Sequence, residues 1–137
     1  MNRGLSIAAA VIVVMVLAFL TIREALAREY SPGEVYLIPG EKGYTVAKVL
    51  VVDPDLVHIR LYKNVFPQRP THIDLSTLKL GGIDDPDGFG IGHLPLTRST
   101  FSSWHPELLT RTAVAPDELD GYNQWKQSRG GVWGKPK

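Results

Sequence analysis

The sequence predicts an α+β protein in which an N-terminal transmembrane helix precedes a small antiparallel sheet. Residues 5–22 are uncharged and almost entirely apolar, which is typical of a membrane helix. Beyond residue 31, β-branched segments alternate with Pro/Gly turns, and helical signals follow near the C-terminus. The 137 residues leave room for one ordinary domain. We therefore divide the chain into a membrane anchor and linker at 1–30 and an α+β domain at 31–137.

The N-terminal segment is predicted to be an uncleaved, single-pass signal-anchor that contacts the lipid bilayer through residues 5–22. As a helix it would extend about 27 Å, close to the roughly 30 Å of a bilayer's hydrocarbon core. A cleaved signal peptide is the main alternative, with Arg3 as its charged start and the Ala-Leu-Ala of 25–27 as its cleavage site. We favour the anchor because the apolar segment is longer than the core of a usual signal peptide. In addition, Arg23 and Glu24 place charges where a cleavage region is normally neutral. A buried helix is a third alternative, but the rest of the chain is too small to cover a helix that is apolar on every face.

The start of the chain also predicts which side of the membrane the domain occupies. Arg3 on one side nearly balances Arg23 and Arg28 on the other under the positive-inside rule. An apolar segment after a short charged start is similar to Sec-type signal-anchors, which favours a bacterial inner-membrane protein with an exported C-terminal domain. The chain has no cysteine, which excludes disulfides, thiolate metal sites and cysteine nucleophiles.

Three strands are predicted in the first half of the domain. Residues 34–38 precede a Pro/Gly turn at 39–43, and 44–53 is a long β-branched segment. Residues 56–62 alternate between apolar and polar, as in a half-buried antiparallel strand. The polar side chains of this strand are expected on the outer, solvated face of the sheet: His58, Arg60 and Tyr62.

The middle of the domain is predicted to complete the sheet. Residues 71–73 and 75–80 are expected to add one or two short strands, whereas the Gly/Asp-rich stretch 83–92 is expected to be a loop. Strands this close together favour a small barrel of the Src-homology or Tudor kind, or a bent sheet.

One or two C-terminal helices are expected to pack against this sheet. Residues 96–104 form the first candidate, with Thr97 as its N-cap. Pro116 begins the second, because proline is favoured at the first helical position. One stripe of this helix is predicted to dock on the sheet: Leu119, Tyr122 and Trp125.

Charge and glycine spacing argue against nucleic-acid and nucleotide binding. Beyond residue 30 the chain has twelve basic and twelve acidic residues with no long run of one sign, so it lacks the basic face that phosphates require. Gly88, Gly90 and Gly92 are spaced G-x-G-x-G, whereas the dinucleotide fingerprint is G-x-G-x-x-G between a strand and a helix. We predict no cofactor.

An aspartate-rich loop is the candidate for metal binding. Asp84, Asp85 and Asp87 supply the clustered oxygens that hard cations prefer. In an EF-hand alignment, however, Ile83 and Leu94 occupy the first and last ligand positions, which excludes that motif. A solvated turn without metal is therefore the prediction, and an irregular calcium site is the alternative.

His93 is the candidate catalytic residue, although we predict that the protein is not an enzyme. The four histidines have no spacing typical of a zinc site. His93 follows the aspartate-rich loop, so a carboxylate from that loop could orient it as a general base. Ser99, Ser102 and Ser103 are the possible nucleophiles, but none lies in a G-x-S-x-G elbow. A membrane-tethered hydrolase is thus an alternative function.

The candidate binding residues are Arg60, Tyr62, Arg69 and Trp133. Arginine and aromatic side chains commonly anchor protein interfaces. Trp133 lies in a glycine-rich tail that cannot be assigned to a core. It or Trp104 could instead stack on sugars, which makes an envelope glycan-binding module another alternative.

Residues 32–39 (PGEVYLIP), a glycine turn and a strand ending in Ala-Lys-Val-Leu at 47–50 resemble the start of some bacterial toxin-immunity proteins. Those proteins begin with a Gly-acid-Val-aromatic-x-Ile-Pro strand and a second strand closing on Val-Leu, in a small bent barrel. The resemblance implies a protein that blocks a toxin. We therefore expect a membrane-anchored domain that binds another protein, with toxin neutralisation as its most specific form.

Overall fold

The computed structural model describes residues 3–26, 29–82 and 84–134, and it describes the side chains of the N-terminal helix at 7–20. The helices and strands are α1 (Arg3–Leu26), β1 (Glu34–Gly40), β2 (Gly43–Val52), β3 (Leu56–Phe66), β4 (Ile91–Thr97), α2 (Arg98–Ser103), β5 (Glu107–Arg111) and α3 (Asp120–Ser128). Short 3₁₀ turns lie at Leu75–Thr77 and Pro116–Leu119. The strands form one antiparallel sheet in the order β4-β3-β2-β1-β5, so the predicted α+β class is confirmed.

The sheet is open rather than closed into a barrel. Among the described strands β4 pairs only with β3 and β5 only with β1, so these two strands are the edges, and β4 also makes an isolated bridge to Trp133. The Src-homology or Tudor-like barrel is therefore corrected to an open sheet, because β5 lies beside β1 and does not reach β4. Register shifts within the β2–β3 pairing mark bulges, which bend and twist a sheet locally.

The strands predicted at 71–73 and 75–80 are not present in the structure. Asp74 accepts a hydrogen bond from the backbone N–H of Ser76 at 3.0 Å, and the chain turns there into the 3₁₀ segment Leu75–Thr77. An aspartate side chain bonded to the backbone N–H two residues later competes with strand pairing. The segment instead places Ile73 and Leu75 against one face of the sheet.

β4 occupies residues that were predicted to belong to a loop and a helix. Its Leu94 lies opposite Ile59 of β3, and its Pro95 lies opposite His58. An edge strand tolerates glycine and proline because its outer N–H groups need no strand partner. The helix expected at 96–104 begins later, at Arg98, although Thr97 is its N-cap as predicted and accepts a hydrogen bond from the Thr100 N–H.

The two faces of the sheet carry separate apolar clusters. The first cluster is covered by Phe101 of α2 and by Trp104, which follows that helix, and it includes Val49 and Ile59 from the central strands. The second lies on the other face and includes Val35, Leu37, Val46 and Ile73. Alternating strand residues point to opposite faces, so the polar residues of β3 share the second face.

The N-terminal helix α1 is apolar and exposed. Every one of its described side chains, at 7–20, is exposed to solvent. Among the residues that the structure describes, no helix meets the length and hydropathy required to cross a bilayer.

Tyr30 attaches the N-terminal part of the chain to the core of the domain. Its side chain is 4 % exposed. Its ring centroid lies 4.9 Å from that of Phe101, and its hydroxyl is 2.7 Å from the Ser102 Oγ of α2. The chain is therefore held by the α2 side of the sheet immediately after the linker.

Candidate functional site

The polar face of β3 is covered by the C-terminal helix. His58 is 0 % exposed, so its predicted place on a solvated face is wrong. The rings of Tyr122 and Trp125 lie edge-on to the His58 imidazole, at centroid distances of 4.8 and 4.7 Å. The prediction that this helical stripe docks on the sheet is thus confirmed for both aromatic residues.

Asp53, His58 and His93 form a hydrogen-bonded chain beneath α3. The His58 Nε2 lies 2.7 Å from the Asp53 Oδ2, and the His58 Nδ1 lies 3.0 Å from the His93 Nε2. If His58 donates its Nε2 proton to the carboxylate, its Nδ1 is an acceptor and His93 must donate from Nε2. The lone pair of His93 is then on Nδ1, which has no hydrogen-bond partner among the described residues.

Burial keeps both imidazoles neutral at neutral pH. It lowers the pKa of His58 even though the hydrogen bond to Asp53 acts in the opposite direction. The pKa of His93 falls to about 4, first because of burial and second because of repulsion from His58. His93 is therefore a neutral acceptor rather than a cation.

His93 lies beside a groove on the C-terminal side of the molecule. The groove has a volume of about 460 Å³, and it is lined by His93, Trp125 and Trp133 among others. Gly121 permits the close approach of α3, because a Cβ at that position would come within 2.6 Å of the His93 Cβ. The structure can thus present a neutral imidazole and two indole rings to a small polar group.

The predicted nucleophiles are not assembled with His93. The Ser102 Oγ is hydrogen-bonded to the Tyr30 hydroxyl, and the Ser103 Oγ donates a hydrogen bond to the Thr100 carbonyl at 2.6 Å. These two serines and the third candidate, Ser99, all belong to α2, which covers the face opposite to His93. The nearest oriented partner of His93 is His58, not a carboxylate of the aspartate-rich loop.

Lys63 forms an ion pair with the aspartate-rich loop. Lys63 Nζ lies 2.9 Å from the Asp85 Oδ2, and this contact lowers the pKa of Asp85. Asp84 and Asp87 are exposed. Within the described ranges, no group of three or more histidine, aspartate or glutamate side chains is arranged to hold a metal ion.

Two predicted binding residues, Arg60 and Tyr62, face the C-terminal segment instead of open solvent. Glu118 accepts a hydrogen bond from the Lys48 Nζ at 2.7 Å, and its other oxygen lies 3.7 Å from the Arg60 Nη1. Burial tends to raise the pKa of Glu118, but the hydrogen bond from Lys48 and the two cations hold it below its ordinary value. Burial raises the pKa of Tyr62. These side chains hold the C-terminal segment on the sheet.

The predicted binding residue Arg69 lies two residues before the first lining residue of a cleft at the β5 edge, Thr71. Its Nε lies 2.6 Å from the Glu107 Oε2, and the two side chains remain 50 % and 40 % exposed. The cleft has a volume of about 450 Å³ between residues 71–75 and the strand residues Leu109 and Thr110.

Trp133 lies at the opposite edge of the sheet, beside β4. Its backbone N–H donates to the Pro95 carbonyl at 2.9 Å, while its side chain is 63 % exposed. Together with Phe89, which is 44 % exposed, it borders an apolar pocket of about 380 Å³. Leu61, Leu94 and Trp104 also line this pocket.

The sequence did not identify His58 as the partner of His93, or Asp53 as the partner of His58. The alternation of β3 places His58 on the polar face, but the pairing of β3 with β4 that brings His93 to it is a long-range feature. The comparisons add no further assignment, since no protein-family model, curated protein or solved structure matches this chain.

Proposed function

We propose that the protein is a single-pass membrane-anchored binding protein whose C-terminal domain captures another protein. The uncharged segment at 5–22 and the exposed apolar side chains at 7–20 support the anchor, since such a surface needs a bilayer or another apolar cover. The proposed location is a bacterial inner membrane, with the domain exported.

The cleft at the β5 edge is the observation that carries the binding function. It is a concave surface whose lining begins at Thr71, two residues after Arg69, and Arg69 forms a half-exposed ion pair with Glu107 of β5. The side chain of Leu108 on β5 is also exposed. Arginine and apolar side chains at the border of a concave surface are typical of protein interfaces.

Photo-crosslinking in living cells tests this function. We expect a photoreactive residue at Thr110, which lines the cleft, to form an adduct with one protein. The same residue at Asn123, exposed on α3, should form none. Arg69→Glu should abolish the Thr110 adduct while leaving the amount of folded protein unchanged. Equal adducts at both positions, or none at Thr110, would refute binding at this cleft.

Toxin neutralisation is the most specific form of the proposal, and it rests on the resemblance of residues 32–50 to immunity proteins. It requires that the crosslinked partner kill cells that lack this chain and spare cells that produce it. Survival should be lost with Arg69→Glu. Hydrolysis by His93 and glycan stacking on Trp133 remain competing predictions, and both would leave survival insensitive to that substitution.

A further inference from the structure

We propose that Phe89 and Trp133, here called the apolar rim, dock onto the surface of the bilayer that holds α1. The inference rests on the proposed function, because it requires α1 to be the membrane anchor. It assigns a lipid surface to the exposed pocket beside β4.

The covalent chain keeps the membrane near α2. Four peptide steps connect Leu26, at the end of α1, to Tyr30, so their Cα atoms are separated by at most about 15 Å. Tyr30 is fixed in the core by Phe101 and Ser102 of α2. The apolar segment of α1 ends at residue 22, four helical residues before Leu26, so a bilayer that contains this segment lies within about 21 Å of Tyr30, on the α2 side of the sheet.

The apolar rim lies on this same side. The Trp104 ring is 6.1 Å from that of Phe101, and Trp104 lines the pocket that Phe89 and Trp133 border. Two ring contacts thus connect Tyr30 to the pocket. The rim is thus connected to Tyr30, where the anchor enters the domain. The bilayer that holds the anchor is therefore the occupant that we assign to the rim.

The chemistry of the rim fits a membrane interface. The pocket is lined mainly by carbon atoms of Leu61, Leu94 and Trp104, which favours contact with acyl chains. The Trp133 side chain is 63 % exposed, so lipid can reach its indole ring. Tryptophan is enriched at membrane interfaces because its ring is apolar while its N–H can bond headgroups.

Docking through the rim would leave the cleft accessible. Trp133 is bonded to β4 and the cleft is formed with β5, and these strands are the opposite edges of the sheet. The domain would then hold one edge against lipid and present the other to a partner.

Labelled single-cysteine variants of the full chain test the docking. The chain has no cysteine of its own, and a Cβ at Gly131 would meet nothing within 4 Å, so Gly131→Cys places a label beside Trp133 without strain. Thr110→Cys in the cleft is the matched control. Each variant carries an environment-sensitive fluorophore and is reconstituted into phosphatidylcholine–phosphatidylglycerol vesicles that contain a nitroxide-labelled lipid.

We expect the nitroxide lipid to quench the label at position 131 at least about twofold more than the label at position 110. Adding Phe89→Ser and Trp133→Ser should bring the quenching at 131 down to the level of the control. Both side chains are largely exposed, so these substitutions leave the core intact. Circular dichroism checks that the fold is retained.

Vesicle flotation separates the failure of the inference from the failure of the anchor. If the chain floats but position 131 is no more quenched than position 110, the docking is overturned and the anchor stands. Quenching that persists in the double serine variant also overturns the role of the rim. A chain that does not float would overturn both the anchor and the inference.

Discussion

Only one proton can lie between the facing nitrogens of His58 and His93, which are 3.0 Å apart. Burial disfavours a positive charge on either imidazole, and within the described part of the chain no carboxylate is bonded to His93 as Asp53 is to His58. The elements around the pair carry acidic and basic groups, namely Asp53, Asp117, Glu118, Asp120, Lys48, Arg60, Lys63 and Lys126. Repulsion from a protonated His58 lowers the pKa of His93, as burial does.

Stability should therefore fall as the solution is acidified. Unfolded His93 binds a proton below its ordinary pKa of 6.5, whereas the folded protein binds one only near pH 4. As the pH falls between these two values, the free energy of unfolding therefore decreases. The contribution of His93 alone is on the order of 3 kcal/mol. The measurement is the free energy of unfolding of the full chain in detergent at pH 7.0, 5.5 and 4.5.

His93→Gln is the variant that isolates this contribution. Glutamine keeps a donor for the His58 Nδ1 but does not titrate, so the loss of stability above pH 4.5 should become shallower. An unchanged pH dependence would show that the His58–His93 pair does not control acid stability.

The C-terminal segment is held to the sheet by an ionic contact as well as by aromatic rings. Glu118 lies on the 3₁₀ turn at Pro116–Leu119, directly before α3, and it bonds the nearly buried Lys48. Gly121 lowers the helical propensity of α3 by about 1 kcal/mol relative to alanine. It also allows the backbone to approach His93, so packing outweighs propensity here.

Glu118→Ala should destabilise the domain by about 2–4 kcal/mol, because it leaves the Lys48 ammonium buried without its carboxylate. Asp117→Ala is the matched control: Asp117 is exposed on the same turn and should change stability little. Unfolding in denaturant measures both variants. Equal effects of the two substitutions would mean that the Lys48–Glu118 pair contributes nothing specific.

Local patterns predicted some elements well and others poorly, for identifiable reasons. The alternation in 56–62 defines β3, and the cap at Thr97 marks the start of α2 within two residues. β4 was missed because an edge strand accepts Gly92 and Pro95, which normally indicate a loop. The environment of His58 was missed because alternation shows which side a residue faces, but not which distant segment covers that side.

At the scale of the whole molecule, the sheet has two different edges and neither presents a regular ladder. β4 contains Pro95 and is bonded by Trp133. In β5, Thr110 pairs with Val35 but Leu108 pairs with Tyr36, so Leu109 is an extra, bulged residue. Proline and bulges hinder edge-to-edge pairing, which is consistent with a domain that meets partners through side chains.

The orientation of the whole chain can be measured with reporters fused after Lys137. Alkaline phosphatase is active only outside the cytoplasm, whereas green fluorescent protein exported by the Sec route is dark. We expect phosphatase activity without fluorescence in a bacterial host. Fluorescence without phosphatase activity would place the domain in the cytoplasm and contradict the proposed exported orientation.

The burial of Tyr30 also determines how the protein responds to mechanical force. A force applied to α1 first reaches the domain at Tyr30, four residues before β1 begins. There it acts on the contacts of Tyr30 with the Phe101 ring and the Ser102 hydroxyl. Tension would load this side-chain contact first. It would reach β1 only afterwards, and β1 is hydrogen-bonded on both sides, to β2 and to β5. We therefore expect the contacts of Tyr30 to break before β1 separates from the sheet when the N-terminal helix is pulled.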